Sequence, residues 1–383
     1  MRERKLEPWE TLPPNWETWK ATLERVNYPE LPENTVPEVG KFYRLYPENT
    51  WSGCGSPYHG NLRVGTDSEN LIIYFNGGGV SYDAYTAARG WNMFTGGIKE
   101  TYYSNDAETI SDFFLNHGLS AQREDNPFLS WSMIQLPYAN GDFHAGDGEF
   151  PYTALDGSQR MMKYHGFRNA MAAIRMALPY LPHPRRLLIA GSSAGGAGTS
   201  FLADDIISLF PECKDITVCV DSMLMFGEWQ RIARNVWHSP ESITDKLKSD
   251  CFMLGNLTAL REKYGERIRI GFISSVRDAL LVEAQNGLDG KGLVHDRASG
   301  ERYQKRLAEF CAKISEKIPD ISFYIFKDVM DAPGYDADEL TLHCVLNNQA
   351  LFEHREEELT PCCWLKDLTE GNMRRAGLGL LEM

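Results

Sequence analysis

Two serines sit in a glycine-rich turn, Gly191-Ser192-Ser193-Ala194-Gly195. The apolar run Leu187-Leu188-Ile189-Ala190 leads into it, and Phe201 and Leu202 resume the apolar pattern beyond it. A G-x-S-x-G string between a strand and a helix is the setting of a nucleophilic serine. The central hydroxyl, Ser193, must project from a cramped bend at the top of a sheet, and only small flanking residues let strand and helix approach it. Backbone N–H groups at the start of the next helix would face a developing oxyanion. A phosphate loop of the Walker type needs a Lys after the glycines, and none follows.

A second element precedes it. Gly77-Gly78-Gly79 comes directly after the apolar run Leu71–Phe75. Such a triplet exposes backbone N–H groups without side-chain cover, as the other half of an oxyanion hole requires. A serine nucleophile also needs a base, and the base needs an orienting carboxylate. In this architecture their chain order is Ser, acid, His. His238, His295, His343 and His354 follow Ser193, and His343 in DELTLHCVL lies beyond the last clear strand, where a base reaches back over the sheet. His354 reads as a solvated residue on a charged helix, and His295 falls in a Gly-rich loop. Asp278, Asp221 and Asp331 each follow a strand-like run and remain rivals for the acid.

The loop PYANGDFHAGDGEF crowds Asn140, Asp142, His144, Asp147 and Glu149 together. Asn140, Asp142 and His144 are expected to line the pocket and bind substrate, with sugar hydroxyls as partners; a metal site ranks below that. His343 with Cys344, Cys362 and Cys363 lacks the C-x-x-C pair of a zinc site. No metal and no cofactor are expected.

These residues need a frame. The runs 71–75, 132–138, 185–191, 215–222, 268–275 and 321–328 read as strands, most of them continuous and apolar as in a buried sheet. Helical spacing appears at 106–119, 160–181, 196–210 and 301–318. The alternation predicts an α/β fold of α/β-hydrolase type, a mainly parallel sheet with helices on both faces. The domain expectation is an N-terminal arm over 1–40, carrying Trp9, Trp16, Trp19 and a short helix near 15–26, packed on a single catalytic domain over 41–383.

The chain has 383 residues and a formal charge of −14. That balance excludes a nucleic-acid binder and disfavours anionic membrane surfaces. No apolar run near the N-terminus reads as an export signal, and the eight cysteines are scattered. Free, mostly buried thiols in the cytoplasm are the expectation.

Together the motifs resemble the pectin acetylesterase family. SGCGSPYHGNLRVG, LIIYFNGGGVSYDAY, NPFLSWSMIQLPYANGDFHAGD, YHGFRNAMAAI, IAGSSAGGAGT, VDSMLMF, FISSVRDAL and LTLHCV fall in the family's order over about residues 50 to 350. The resemblance implies Ser193 as nucleophile, Asp278 as acid, His343 as base, and the N–H groups of Gly78, Gly79 and Ala194 as oxyanion hole. It also marks departures. Val80-Ser81 stands where an aromatic-Cys pair usually follows the glycines, and Tyr138-Ala139-Asn140 lacks a cysteine common after PY. The family's disulfide framework is therefore expected to be absent, in keeping with an intracellular form.

The expected function is a serine carboxylic-ester hydrolase that removes short acyl groups, such as acetyl, from a carbohydrate. A small-molecule or oligosaccharide ester suits a cytoplasmic enzyme better than a polymer. The alternative is a catalytically silent hydrolase-like protein that binds glycans or acts as a scaffold. Oligomeric state is left open.

Overall fold

The structure, a computed structural model, describes residues 6–12, 28–96 and 98–382. Its centre is a nine-stranded sheet. The strands are β1 (Phe42–Leu45), β2 (Gly60–Arg63), β3 (Asp67–Phe75), β4 (Trp131–Leu136), β5 (Arg186–Ser192), β6 (Asp215–Asp221), β7 (Ile268–Ser275), β8 (Ser322–Phe326) and β9 (Arg375–Ala376). Their spatial order is β1-β2-β4-β3-β5-β6-β7-β8-β9. The pairs β1–β2 and β2–β4 are antiparallel, and every pair from β4 to β9 is parallel.

Side chains alternate along each strand, so the apolar runs feed two cores. Leu71, Ile73 and Phe75 of β3 join Leu187 and Ile189 of β5 on one face. Ile72, Tyr74, Leu188 and Ala190 point to the other. The first face is covered by α2 (Gly166–Ala177), α3 (Ala194–Leu209), α4 (Phe252–Tyr264) and α6 (Arg297–Lys317). The second is covered by α7 (Pro361–Thr369) and the chain around Val345–Leu351. Helices α1 (Ala107–Phe114) and α5 (Ala279–Leu288) also join the first core, through Ile110 and Leu281. The expected class is what the chain adopts.

Two local expectations fail. Residues 160–181 do not form one helix. Gln159–Tyr164 pairs antiparallel with Gly148–Thr153, and the helix begins at Gly166. The hairpin strand hides in the pattern because Met161, which a core helix would bury, faces outward at 50% exposure while Met162 and Tyr164 are buried. The charged helix expected around His354 also stops short: the helical turn ends at Glu353, and His354 is a half-helical cap whose Nδ1 lies 3.6 Å from Asp328.

The short helix expected near 15–26, with Trp16 and Trp19, lies outside the described residues. Within 6–12, Trp9 carries the Arg160 guanidinium 4.6 Å from its ring, Glu7 pairs with Arg160 at 2.6 Å, and the buried Glu10 accepts from Asn92 at 2.8 Å.

Candidate active site

The turn after β5 is as cramped as its composition requires. Ser193 has φ 57° and ψ −129°, a left-handed conformation that costs a non-glycine residue about 1–3 kcal/mol. It caps α3 without a hydrogen bond from its own side chain to that helix. A Cβ on Gly195 would stand 2.0 Å from the Phe75 carbonyl oxygen, so no larger residue fits between β3 and the elbow. Gly77 approaches from the opposite side, and its Cβ would stand 2.5 Å from the Ser193 Cβ.

The two serines divide the work. Ser192 is fully buried and donates to Asp221 Oδ2 at 2.8 Å, with Tyr74 Oη 2.7 Å away. Ser193 points instead into a cavity of about 360 Å³, which His343 and Gly77, Gly78 and Gly79 also line. Most of the wall is apolar, with Trp91, Ile110, Phe113, Phe114, Phe143 and Leu281 among its residues. Gly78 accepts from the Ser104 N–H through its carbonyl, but among the described residues the N–H groups of Gly78, Gly79 and Ala194 donate to no protein group. They are bare donors beside the Ser193 hydroxyl.

His343 is brought to the cavity by pairing between two loops. Thr341 N–H donates to Arg277 O and Ala279 N–H to Thr341 O, both at 3.0 Å, with Arg277 N–H on Thr341 Oγ1 at 2.9 Å. This short ladder sets Asp278 opposite Thr341 and two residues from His343. Asp278 is fully buried at the N-cap of α5, where its Oδ1 accepts the Leu281 N–H at 3.0 Å. His343 Nδ1 lies 2.8 Å from both Asp278 oxygens. The carboxylate can only accept, so Nδ1 carries the proton and Nε2 is left as the basic nitrogen. Burial alone would push the imidazole down, but the charge and hydrogen bond of Asp278, helped by the Asp221 carboxylate, hold it above its ordinary value.

Asp221, the rival acid, does something else. Its Oδ2 accepts the N–H groups of Val345 at 3.0 Å and Leu346 at 2.9 Å besides Ser192, and its Oδ1 accepts from Ser222. It ties the loop after His343 to the strand end before Ser193. The Cys344 N–H on Ser222 Oγ at 3.0 Å reinforces the tie. Asp221→Ala leaves two buried N–H groups without an acceptor. We expect an unfolding free energy lower by about 3 kcal/mol or more, read as a lower urea midpoint at unchanged slope. Asp331, the third candidate, is exposed and lies outside the cavity lining.

The polar loop departs from expectation. Asn140, Asp142 and His144 are buried and none lines the cavity. Asn140 donates to the carbonyls of Trp51 and Lys163 and accepts from Asn169. Asp142 accepts the N–H groups of His144, Gly146 and Gly166, and burial still pushes its carboxyl up to about 7. His144 Nε2 sits 2.9 Å from Asn76 O, and burial pushes the ring down to about 4. The trio satisfies backbone groups, and only His144, through Asn76 O, reaches the strand end before the glycine loop. Asp147 and Glu149 are taken by Arg168 at 2.7 Å and Lys163 at 3.0 Å. The residue of this loop that does reach the cavity is the apolar Phe143, packed 5.1 Å from the Trp229 ring.

Residues 52–239 match the profile of the family described as Pectinacetylesterase. Over that segment the chain is pectinacetylesterase-like. The segment holds the glycine loop, the polar loop and the Ser193 elbow; Asp278 and His343 lie beyond it. Two crystal forms described as the Wnt deacylase Notum from Drosophila share the fold. One superposes with a TM-score of 0.57 at 17% identity, covering 86% of this chain and 93% of that one. The other gives 0.56 at 16%, covering 87% and 94%. No curated protein sequence matches the chain significantly. The pectinacetylesterase-like segment on this fold supports an esterase-type hydrolase.

None of the eight cysteines forms a disulfide; Cys54 is half-buried, Cys363 exposed and the rest buried. Among the described residues no helix is long and apolar enough to cross a membrane.

Proposed function

We propose that the protein is a serine carboxylic-ester hydrolase that removes a short acyl group from a carbohydrate through an acyl-enzyme. The observation that carries this is a single cavity lined by the Ser193 elbow, by His343 with Asp278 on its far nitrogen, and by the bare N–H groups of the glycine loop. In the first step His343 Nε2 takes the Ser193 proton as Oγ attacks the ester carbonyl. The tetrahedral oxygen lies against the Gly78, Gly79 and Ala194 N–H groups, where loss of one such donor typically costs about 3 kcal/mol of barrier. The imidazolium then protonates the departing alkoxide. Water attacks the acyl-enzyme with His343 as base again, and Ser193 regains its proton.

A cytoplasmic address belongs to the same proposal, supported by eight cysteines that form no disulfide.

A screen with p-nitrophenyl esters of increasing acyl length tests the reading. Apolar walls reward added methylenes by about 0.8 kcal/mol each, so butyrate should exceed acetate in kcat/KM by roughly ten-fold. A profile that peaks at acetate would mean the acyl group does not use the apolar walls. Inertness of a well-folded sample toward every ester, with Ser193→Ala and His343→Ala indistinguishable from wild type, would favour a binding or scaffold role.

A further inference from the structure

Apart from His343, the only ionisable acid or base lining the cavity among the described residues, cysteine and tyrosine aside, is Glu283. It stands on α5 five residues past Asp278, beside Leu280, Leu281 and Ala284, which share the wall. One helix thus carries the acid at its N-cap and a second carboxylate one turn further on.

Glu283 is held rigidly. Its Oε1 accepts from His295 Nδ1 and from the Tyr335 hydroxyl, both at 2.8 Å. The His295 and Tyr335 rings stack with centroids 4.3 Å apart, and His295 Nε2 lies 3.8 Å from Asp338 Oδ2. A free Glu side chain loses considerable rotamer entropy when fixed. Here that loss is met before any ligand arrives, by partners from two loops outside the Ser193–His343 pair. Both partners use the same oxygen. Among the described residues Oε2 accepts no hydrogen bond.

The Glu283 side chain keeps 18% of its surface exposed, so Oε2 is open to a donor from a ligand in the cavity. The hydrocarbon acyl chain has no donor to give, so the donor must come from the other half of the ester. The carbohydrate alcohol of the esterase reading carries hydroxyl donors, each of which needs one oxygen. We propose that Glu283 is a specificity-determining residue whose Oε2 accepts a hydrogen bond from a hydroxyl of the leaving alcohol, so that the substrates are esters of polyhydroxylated alcohols rather than of simple alkanols. The inference rests on the esterase reading above and assigns its preference for the alcohol to one residue.

Glyceryl monobutyrate and propyl butyrate share an acyl group and differ only in alcohol hydroxyls. With the full chain, the ratio of their kcat/KM values should favour the glyceryl ester by roughly ten-fold or more, as a bond to a charged acceptor implies. Glu283→Gln, isosteric and able to keep His295 and Tyr335 satisfied, should lower that ratio several-fold. Glu283→Met should bring it near one. The Gln variant alone decides the matter if the Met variant does not fold. A wild-type ratio near one, or an unchanged ratio in Glu283→Gln, overturns the assignment of Glu283 while leaving the esterase reading intact. A folded wild type inert toward both esters overturns both.

Discussion

Replacing Ser193 by Ala is expected to lower kcat/KM for any ester substrate by roughly 10⁴-fold or more, because no other hydroxyl stands at the elbow facing His343. The neighbouring Ser192 cannot substitute: it is fully buried and engaged with Asp221 and Tyr74. The same position gives a second readout. Ser193 holds φ 57° and ψ −129°, and glycine occupies that region without strain. Ser193→Gly should therefore be as inactive as Ser193→Ala yet more stable than wild type by about 1 kcal/mol in urea unfolding, while Ser193→Ala keeps the strain and the wild-type midpoint. Loss of activity joined to a gain in stability is the signature of a residue kept for chemistry. A Ser193→Gly variant that unfolds earlier than wild type would mean the elbow is not strained in solution.

Asp278→Asn has the second largest expected effect. Asn still caps α5, so the helix start and the fold should survive. What goes is the charge that keeps His343 in one tautomer and stabilises its protonated form. A loss on the order of 10⁴-fold in kcat follows from comparable triads. The pH profile gives the sign. Activity needs neutral His343, so kcat/KM in the wild type falls as pH drops through an imidazole pKa that Asp278 and Asp221 hold above the ordinary value. Without the Asp278 charge, burial dominates, and the acidic limb should move to lower pH. Stability runs the other way. A raised histidine stabilises the fold fully below its unfolded value of about 6.5 and loses that contribution as pH rises through the folded value. The stability gap between wild type and Asp278→Asn should thus be widest in mild acid and narrow as pH climbs. An acidic limb that stays in place would mean another group governs the titration.

The legible parts of the molecule are those where a signal is local. Continuous apolar runs such as Leu71–Phe75 and Arg186–Ser192 announce strands buried on both faces, and both are. The elbow and the glycine loop are legible because sterics at a tight approach admit almost nothing but glycine, at Gly77 and Gly195 above all. The polar loop misleads because side-chain polarity does not say which way a residue faces. The N–H groups of His144, Gly146 and Gly166 needed an acceptor, so Asp142 turned inward, and Phe143 was left for the cavity. Asp221 serves N–H groups 124 and 125 positions away at Val345 and Leu346. Glu283 depends on Tyr335, 52 positions away. No periodicity in the chain carries such pairings; only the fold does.

Whether Ser193 is an activated nucleophile is tested most directly by treating the folded chain with a fluorophosphonate and mapping the adduct by peptide mass. One covalent phosphonyl group is expected, on the peptide that contains Ser193, with labelling abolished in Ser193→Ala and greatly slowed in His343→Ala. Labelling that persists at full stoichiometry in Ser193→Ala, or a folded wild type that never reacts, would contradict it.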